Sequence, residues 1–334
     1  MRKERLVNFQ NIMPGQTALL TCPIGPTYEG FKINLLNGLT IQKVTNIVGK
    51  INDKPFFTAT GADLLAENLY EGRSNPNTQI VLDFLRQNAK SSSVKGGAPT
   101  SQVAEQMLTA ISSAVMQKLT WEITLDSTAP NGSNMVAYAN LNDPSKNPMV
   151  LKQLYSTLAF PFAQDNDIPL AVGRAGAIIK KLYLHQANYG AAWAQSTAYA
   201  VGAQVTANGN VYTCTTAGTS AAAGTGPATT TSGIADGTVV WSFLSTAGSI
   251  SFIQVRNQGV IIWEGAPSDA VSDQNDYQKV QQTGLTVIDF DLQGFREKWL
   301  NTAVTQNVFI RITTTGGAFN GRLYQSIVDP VQRA

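Results

Sequence analysis

The sequence has little of the chemistry on which most enzymes depend. Its 334 residues contain one histidine, His185, and two cysteines, Cys22 and Cys214. A single histidine, no close cysteine pair and no tight carboxylate group argue against a transition-metal site. Two cysteines are also too few for a disulfide framework, so we expect free thiols. We therefore predict a protein with no catalytic residues, no metal and no cofactor.

Charged residues and long apolar runs are also scarce. Only 14% of the residues are charged and the net charge is +2, which argues against a basic surface for specific nucleic-acid binding. No apolar run reaches the length needed to span a bilayer. The first ten residues are basic and no apolar stretch follows them, so we expect no secretory signal.

The acidic residues with the clearest spacing lie in "TGADLLAENLYEG". Asp63, Glu67 and Glu71 recur every fourth position, which predicts a helix with one acidic face. We interpret this face as solvent-exposed rather than as acid–base machinery. His185 lies in an alternating, strand-like run and has no second histidine to join it, so we expect a structural role.

Most of the chain is typical of β-strands divided by proline and glycine. Strands are predicted at 16–24, 30–36, 42–52, 79–86, 118–126, 134–141, 177–185, 249–265, 285–292, 307–315 and 321–328. A helix is predicted at 100–119, packed against the first sheet domain through an apolar stripe of Val103, Met107, Ile111 and Val115. The segment 149–159 is a second helix candidate.

The two halves of the chain resemble each other in order. "IVLDFLRQN" at 80–88 matches "TVIDFDLQG" at 286–294, and each is followed later by a strand with a central tyrosine. A hairpin, an aromatic residue and an acidic helix-like piece precede both segments. This order favours duplication of an all-β unit. The predicted fold is a double jelly roll, two eight-stranded β-barrels in tandem, with a small β module inserted in the second.

We predict five segments from these patterns. Residues 1–13 form an N-terminal arm, 14–145 the first jelly roll, 146–169 a linker and 170–330 the second jelly roll. The inserted module occupies 190–248, because the first repeat has no counterpart to it. A jelly roll tolerates such an insertion in an end loop, since the entropic cost of loop closure grows slowly with length.

Segments spread across most of residues 14–330, such as "TALLTCPIGPTYEGFKINL" and "VIDFDLQGFREKW", resemble those of a known protein family. The chain resembles the major capsid proteins of tailless, membrane-containing icosahedral phages. The corticovirus coat protein is the type, and the lipid-containing phage of Flavobacterium supplies a nearer likeness. The resemblance implies a trimer of pseudo-hexagonal outline that tiles a virion shell over an internal lipid membrane and is assembled in the host cytoplasm. Its partners would be itself, neighbouring capsomers, and vertex (penton) and minor capsid proteins.

The inserted segment resembles a small chitin-binding-type module. The matching positions are Trp193, Tyr199, Gly202, Val205, Gly209, Tyr212 and Trp241. Sugar-binding members carry further aromatic residues after the position of Tyr212, and "TCTTAGTS" has none. Trp193, Tyr199, Tyr212 and Trp241 therefore have two possible roles, either as the core of the module or as a platform that stacks on host surface glycans.

Two further questions stay open at this point. The basic residues Arg2, Lys3 and Arg5 would either touch anionic lipid beneath the shell or form a plain terminus. The leading function is a self-assembling capsid protein. The alternatives are a phage tail or baseplate protein and a secreted carbohydrate-binding, adhesin-like protein.

Overall fold

The computed structural model describes residues 2–74, 76–86, 106–160, 163–170, 177–187, 191–302, 307–317 and 319–330. These residues are mostly β-strands. We call residues 2–142 unit 1, residues 149–187 together with 249–330 unit 2, and residues 191–246 the module.

Unit 1 begins at the first described residue. Its elements are β1 (Arg2–Arg5), β2 (Thr17–Cys22), β3 (Thr27–Leu36), β4 (Val44–Ile51), β5 (Lys54–Ala59), α1 (Gly61–Tyr70), β6 (Gln79–Asp83), β7 (Ile111–Ser112), β8 (Leu119–Leu125) and β9 (Asn134–Asn142). Short 3-10 turns lie at Ile41–Lys43, Met107–Thr109 and Ser113–Val115.

Unit 2 is interrupted by the module. It starts with β10 (Met149–Phe160), β11 (Asp165–Pro169) and β12 (Ile178–Ala187). The module follows with β13 (Ala191–Ala192), β14 (Ala198–Tyr199), β15 (Gln204–Ala207), β16 (Asn210–Thr216), β17 (Gly218–Thr219), β18 (Ile234–Asp236) and β19 (Val239–Thr246). Unit 2 resumes with β20 (Ser249–Asn257), β21 (Val260–Gly265), α2 (Pro267–Asn275), β22 (Leu285–Asp289), β23 (Leu300–Asn301), β24 (Val308–Thr315) and β25 (Phe319–Pro330). A 3-10 turn lies at Arg296–Lys298.

Two sheets enclose the core of unit 1. One has the order β1-β9-β3-β6 and the other the order β2-β8-β4-β5. Strand β9 shows why they face each other, since Met135, Ala137 and Ala139 are buried and alternate with residues that are only partly buried. Phe31 of the first sheet meets Trp121 of the second with ring centroids 5.3 Å apart.

Unit 2 repeats this strand order. Its sheets are β10-β25-β12-β22 and β11-β24-β20-β21, and the short strands β7 and β23 flank equivalent strands, β3 and β12. The helices are also equivalent, because Asn68 of α1 donates to the Val81 carbonyl at 2.9 Å and Gln274 of α2 to the Val287 carbonyl at 2.6 Å. The fold is thus a double jelly roll whose halves match strand for strand, as the sequence repeat predicts.

Strand register extends the match to single residues. In unit 1, Lys32 of β3 lies opposite Tyr138 of β9. In unit 2, Tyr183 of β12 lies opposite Tyr324 of β25. On the other side of each strand, Lys32 lies opposite Val81 of β6 and Tyr183 lies opposite Val287 of β22. Tyr138 and Tyr324, the central tyrosines of the sequence repeat, therefore occupy the same position in the two units.

One sheet continues from unit 1 into unit 2. Strand β5 runs parallel to β10, with Phe57 opposite Gln153, so that eight strands follow one another from β2 to β22. Each unit keeps a core of its own, and residues of unit 2 such as Tyr183 and Tyr324 extend the core of unit 1. The two units therefore share backbone hydrogen bonds and apolar packing.

Both predicted long helices are wrong where the structure describes them. Met149–Phe160 is strand β10, because all its residues pair with β25, and this ladder outweighs the local helical pattern. In 100–119, residues 100–105, which include Val103, lie outside the described residues. Residues 107–115 form 3-10 turns around β7, held where the Ser113 hydroxyl donates to the Pro26 carbonyl at 2.6 Å. Of the predicted stripe, Ile111 is buried, whereas Val115 is exposed.

The predicted arm and linker also contain paired strands. Arg2–Arg5 is β1, which pairs with β9 at the edge of unit 1. The range 146–169 holds β10 and β11, which pair with β25 and β24. Both segments belong to the sheets because a jelly roll takes its first strand from the start of each repeat.

The module is a separate small sheet of order β13-β15-β16-β19-β18 with its own core. It follows β12, whose last residue Ala187 pairs with Asn320, and it precedes β20, whose first residue Ser249 pairs with Thr315. Asn320 and Thr315 flank the turn between β24 and β25. The chain therefore leaves unit 2 and re-enters it at one turn, as an insertion in an end loop requires.

Candidate functional site

Helix α1 lies at the contact between the two units. It begins after Thr60, whose hydroxyl accepts a hydrogen bond from the Asp63 backbone N–H at 3.2 Å. Its acidic face points at β10, β12 and β25 of unit 2, where basic and polar residues meet it. The prediction of a solvent-exposed face is wrong, since Asp63 and Glu67 are buried. Spacing identifies a face of a helix, but it does not show what covers that face.

Asp63 anchors the first turn of the helix to β25. Arg322 donates from Nε and Nη2 to the two carboxylate oxygens at 2.6 and 2.9 Å, and the Tyr324 hydroxyl donates at 2.7 Å. Burial alone would raise the pKa of Asp63, but the hydrogen bonds of Arg322 and the nearby His185 lower it below its usual value. Such a bidentate arginine pair fixes both position and orientation.

His185 lies between two carboxylates of the helix. Its Nδ1 is 3.3 Å from Asp63 Oδ1 and its Nε2 is 3.2 Å from Glu67 Oε1. Gln153 of β10 donates to the other oxygen of Glu67 at 2.8 Å. Burial raises the pKa of Glu67, and these polar contacts offset the rise only in part. His185 is buried, as expected of a structural histidine.

Glu71, at the end of the helix, meets two lysines. Lys181 of β12 pairs with one oxygen and Lys279 with the other at 2.6 Å. Burial would raise the pKa of Glu71, but the two lysines hold it well below its usual value. Lys181 also lies 2.8 Å from Asp289. Because every charge here has an opposite partner, the network avoids the cost of an unpaired buried charge.

A second group of charges joins the end of β6 to unit 2. The Arg86 Nη2 is 3.3 Å from Asp291 Oδ1, and its guanidinium lies 4.2 Å from the ring centroid of Trp299. Lys180 pairs with the other oxygen, Asp291 Oδ2, at 3.2 Å, and the Trp299 indole donates to Asp291 Oδ1 at 2.7 Å. Burial opposes ionisation of Asp291, but Lys180 and Lys181 lower its pKa.

A cavity of about 460 Å³ lies beside this network and is lined by both units. Its wall carries cations such as Lys180 and Arg73 and anions such as Glu67 and Asp291. Each of these charges has a partner beside the cavity, since Lys180 pairs with Asp291 within unit 2, Arg73 pairs with Asp83 within unit 1, and Glu67 meets His185 across the contact. The arrangement is therefore suited to holding two units together rather than to concentrating one sign of charge.

The partners of the acidic face were not identified from the sequence. The missed residues are Gln153, Lys181, Lys279 and Arg322. A signal was present in β12, where Lys181, Tyr183 and His185 alternate with Leu182 and Leu184. The leucines enter the core of unit 2, and the polar alternates face α1. Polar residues that alternate with buried leucines usually indicate solvent, so the signal is ambiguous by itself.

Several predicted features concern metal, thiol and membrane chemistry. Within the described ranges, no group of three or more His, Cys, Asp or Glu side chains is placed to hold a metal ion. Cys22 and Cys214 are free, as predicted, and both are buried, and burial raises the pKa of Cys22 to about 12. Neither helix of the part that the structure describes is long and apolar enough to cross a membrane.

The aromatic residues of the module gather around its core. Tyr212 and Trp241 are fully buried, and Trp193 and Tyr199 are half-buried. Tyr199 and Trp241 meet edge to face with centroids 4.9 Å apart. The Tyr199 hydroxyl accepts a hydrogen bond from the Ala194 N–H at 2.9 Å. The four side chains therefore do not form one flat, exposed row.

The basic residues of the predicted arm lie on β1 at the edge of unit 1. Arg2, Lys3 and Arg5 are exposed. The Lys3 ammonium lies 5.1 Å from the ring centroid of Tyr138, and Arg2 pairs with Glu4 at 3.0 Å. The strand pairing holds them against the sheet.

Comparison with known proteins identifies the class. The family model "Viral coat protein P2 N-terminal domain" matches residues 3–142, and the model "Viral coat protein P2 C-terminal domain" matches 212–330. The two matches together cover most of the chain. The protein is therefore a viral major capsid protein, and it belongs to the family of P2-type viral coat proteins. No curated protein sequence matches the chain.

Solved structures show the same fold. The major capsid protein P2 from Bacteriophage PM2 matches with a TM-score of 0.69 at 14% identity, over 98% of this chain and 97% of that chain. The major capsid protein of Sulfolobus turreted icosahedral virus matches with a TM-score of 0.57 at 10% identity, over 98% and 95%. A PBCV-1 virus capsid chain matches with a TM-score of 0.53 at 12% identity, over 98% and 93%. All are double jelly rolls at low identity.

Proposed function

We propose that this capsid protein assembles as a homotrimer that tiles an icosahedral shell around an internal membrane, in a tailless phage of the corticovirus and Flavobacterium lipid-phage type. The strand-for-strand duplication carries the proposal. Three copies arranged around an axis present six similar units, which gives a hexagonal outline suited to close tiling. Neighbouring capsomers, vertex proteins and minor capsid proteins would meet the trimer at its rim.

The buried ion network supports this role because tiling requires the two units to keep a fixed angle. Asp63, Glu67 and Glu71 all contact β12, and Asp63 also binds β25 and Glu67 also binds β10, so rotation of one unit would break several charge pairs together. His185 is occupied by two carboxylates, which supports a structural and not an enzymatic role.

We also propose that residues 190–248 fold as a chitin-binding-type module on the outer face of the shell. Its entry and exit at one turn support an added domain that leaves the jelly roll intact. The burial of Tyr212 and Trp241 favours the reading of the aromatic residues as core rather than as a glycan platform.

Native mass spectrometry of the purified protein tests the proposed oligomer. A trimer that persists at micromolar concentration is expected, because obligate oligomers bury interfaces of roughly 2,000 Å² or more. A stable monomer under the same conditions would refute the proposal.

A further inference from the structure

Two equivalent strands, β5 of unit 1 and β21 of unit 2, differ in whether a second strand pairs with their outer edge. In unit 1, β5 is flanked by β10, and Phe57 opposite Gln153 is only 4% exposed. Its counterpart in unit 2 is β21, which has β20 as its one neighbour among the described strands. Val260, Ile261 and Ile262 on β21 are 62%, 43% and 45% exposed. An apolar strand edge of this kind invites pairing with another strand.

A complementary edge exists in unit 1. Strand β10 lies between β25 and β5, whereas its counterpart β1 has β9 as its one neighbour in the described part of the chain. All four residues of Arg2–Arg5 are exposed. The two edges left open, β21 and β1, are thus the counterparts of the two edges that meet inside the chain, β5 and β10.

Register identifies the equivalent residues on β1 and β10. Tyr138 and Tyr324 occupy the same position in the two units, as shown above. Lys3 lies two positions before the β1 residue that faces Tyr138, and Gln153 lies two positions before the β10 residue that faces Tyr324. Lys3 is therefore the counterpart of Gln153.

The helices supply the other partner. Asn68 and Gln274 are equivalent through their bonds to β6 and β22. The preceding residues, Glu67 and Asp273, are then equivalent as well. Glu67 is buried against unit 2, whereas Asp273 of α2 is exposed, together with its acidic neighbours Asp269 and Asp276.

Inside the chain, Gln153 donates to Glu67 at 2.8 Å. We propose that β21 and α2 of one copy dock on β1 of a second copy, and that Lys3 of the partner subunit pairs with Asp273. The occupant follows from the repeat, and the charges agree with it. The docking strand carries Arg2, Lys3 and Arg5, and the surface of α2 carries three exposed aspartates. This inference rests on the proposed self-assembly and assigns its contact surface.

The contact is head-to-tail, because β21 of each copy meets a different surface, β1, on the next. Such contacts close into a ring when the rotation between successive units is regular. Here the contact between copies repeats the contact within the chain, so that each unit has the same two neighbours. That is the arrangement a trimer of six similar units needs.

Charge reversal tests the pairing. Lys3→Glu and Asp273→Lys are each expected to weaken association between copies by about tenfold or more, since each places two like charges opposite each other at the interface. The double variant is expected to return to within about threefold of the unchanged protein. Association is measured by native mass spectrometry and sedimentation over a protein concentration series. Both side chains are exposed, so neither change should disturb folding of the single chain.

Lys118→Glu is the matched control. Lys118 is an exposed lysine of unit 1 that pairs with Asp53 in the same chain at 2.7 Å, away from both edges. Its reversal should leave association unchanged. If Lys3→Glu and Asp273→Lys also leave a trimer unchanged, the inference is wrong and the proposed function stands. If the unchanged protein is a monomer, the proposed function itself fails.

Zero-length carbodiimide cross-linking checks the pair without any substitution. Peptide mass spectrometry on a mixture of light and ¹⁵N-labelled protein should find a Lys3–Asp273 link between copies in the trimer fraction. A trimer whose links join other residues but never this pair would overturn the inference. Flotation with phosphatidylserine-containing vesicles tests the alternative hypothesis that β1 binds anionic lipid. If Lys3→Glu lowers vesicle binding but not association, the strand serves the membrane and the inference is also overturned.

Discussion

At the scale of single residues, Asp236 is the one charged side chain of the module, and its hydrogen bonds in the core show why it is needed there. It is the only Asp, Glu, Lys or Arg between residues 182 and 255. The indoles of Trp193 and Trp241 donate to its Oδ2 at 2.6 and 3.0 Å, and the Ala221 N–H donates to its Oδ1 at 3.0 Å. A carboxylate accepts several hydrogen bonds at once, which lets two tryptophans enter a small core.

Asp236→Ala is expected to destabilise the module strongly. Three donors would lose their acceptor, and a buried unsatisfied donor costs roughly 1–3 kcal/mol. Hydrogen exchange of the amides in β15, β16 and β19 should therefore accelerate, while the amides of the jelly rolls stay protected. Val201→Ala is the control, since Val201 is 66% exposed and its loss should matter little. Unchanged exchange in Asp236→Ala would show that the carboxylate is not needed by the core.

Asp63 and Glu67 should respond in opposite ways to loss of charge. The pKa of Asp63 is lowered by its partners, so its ionised form is favoured in the folded state, whereas burial raises the pKa of Glu67. At neutral pH, Asp63→Asn is expected to lower the free energy of unfolding by about 1–3 kcal/mol. Glu67→Gln should leave it unchanged or raise it, and urea unfolding measures both. A larger loss for Glu67→Gln than for Asp63→Asn would contradict the assignment.

The pH dependence follows from the same directions. Because the folded pKa of Asp63 lies below its unfolded value of about 4, its stabilisation is present above that pH. It is lost as the pH falls through the folded value, and Glu71 acts in the same sense. The unchanged protein should therefore lose stability below about pH 4 more steeply than Asp63→Asn does.

At the scale of elements, helix α1 is placed by close packing at its first residue. A Cβ added to Gly61 would lie 2.1 Å from the Ile41 carbonyl oxygen and 2.9 Å from Val44 Cβ. Only glycine lets the helix start this close to the chain that leads into β4. The position of this first turn also sets where Asp63 meets Arg322.

Gly61→Ala is therefore expected to destabilise the protein, although helix propensity alone favours alanine by roughly 1 kcal/mol. Overpacking of this kind typically costs about 1–3 kcal/mol. Thermal and urea unfolding measure the change. Ser272→Ala, at an exposed position of α2, is the control and should be neutral or slightly stabilising. A stabilised Gly61→Ala would show that the helix start can shift at no cost.

Strands were easier to predict than helices, for a physical reason. Alternation in segments such as Asn134–Asn142 reports one buried face, and the order of such segments revealed the duplication. The segment Met149–Phe160 has a local pattern compatible with a helix, and only its distant partner β25 makes it a strand. The prediction that the acidic face of α1 is exposed was wrong for the same reason, because the residues that bury this face, such as Arg322, lie far along the chain. Sequence patterns near a residue do not contain such partners.

At the scale of the whole molecule, the module should be dispensable for the jelly rolls. Both of its connections lie at the turn between β24 and β25. Deletion of residues 191–247 with a short Gly-Ser bridge is therefore expected to leave the jelly-roll fold and the trimer intact. Circular dichroism and native mass spectrometry check the two points. Loss of the trimer with the fold retained would place the module in the assembly contact.

The central claim is that two matched jelly rolls in one chain let three copies form a six-unit capsomer. Electron microscopy of the purified protein and of the parent particle tests it most directly. Averaged views down the trimer axis should show three copies with a hexagonal outline, in which six similar lobes surround the centre, and the same shape should tile the shell. Lone chains, dimers or particles without such lobes would contradict the account.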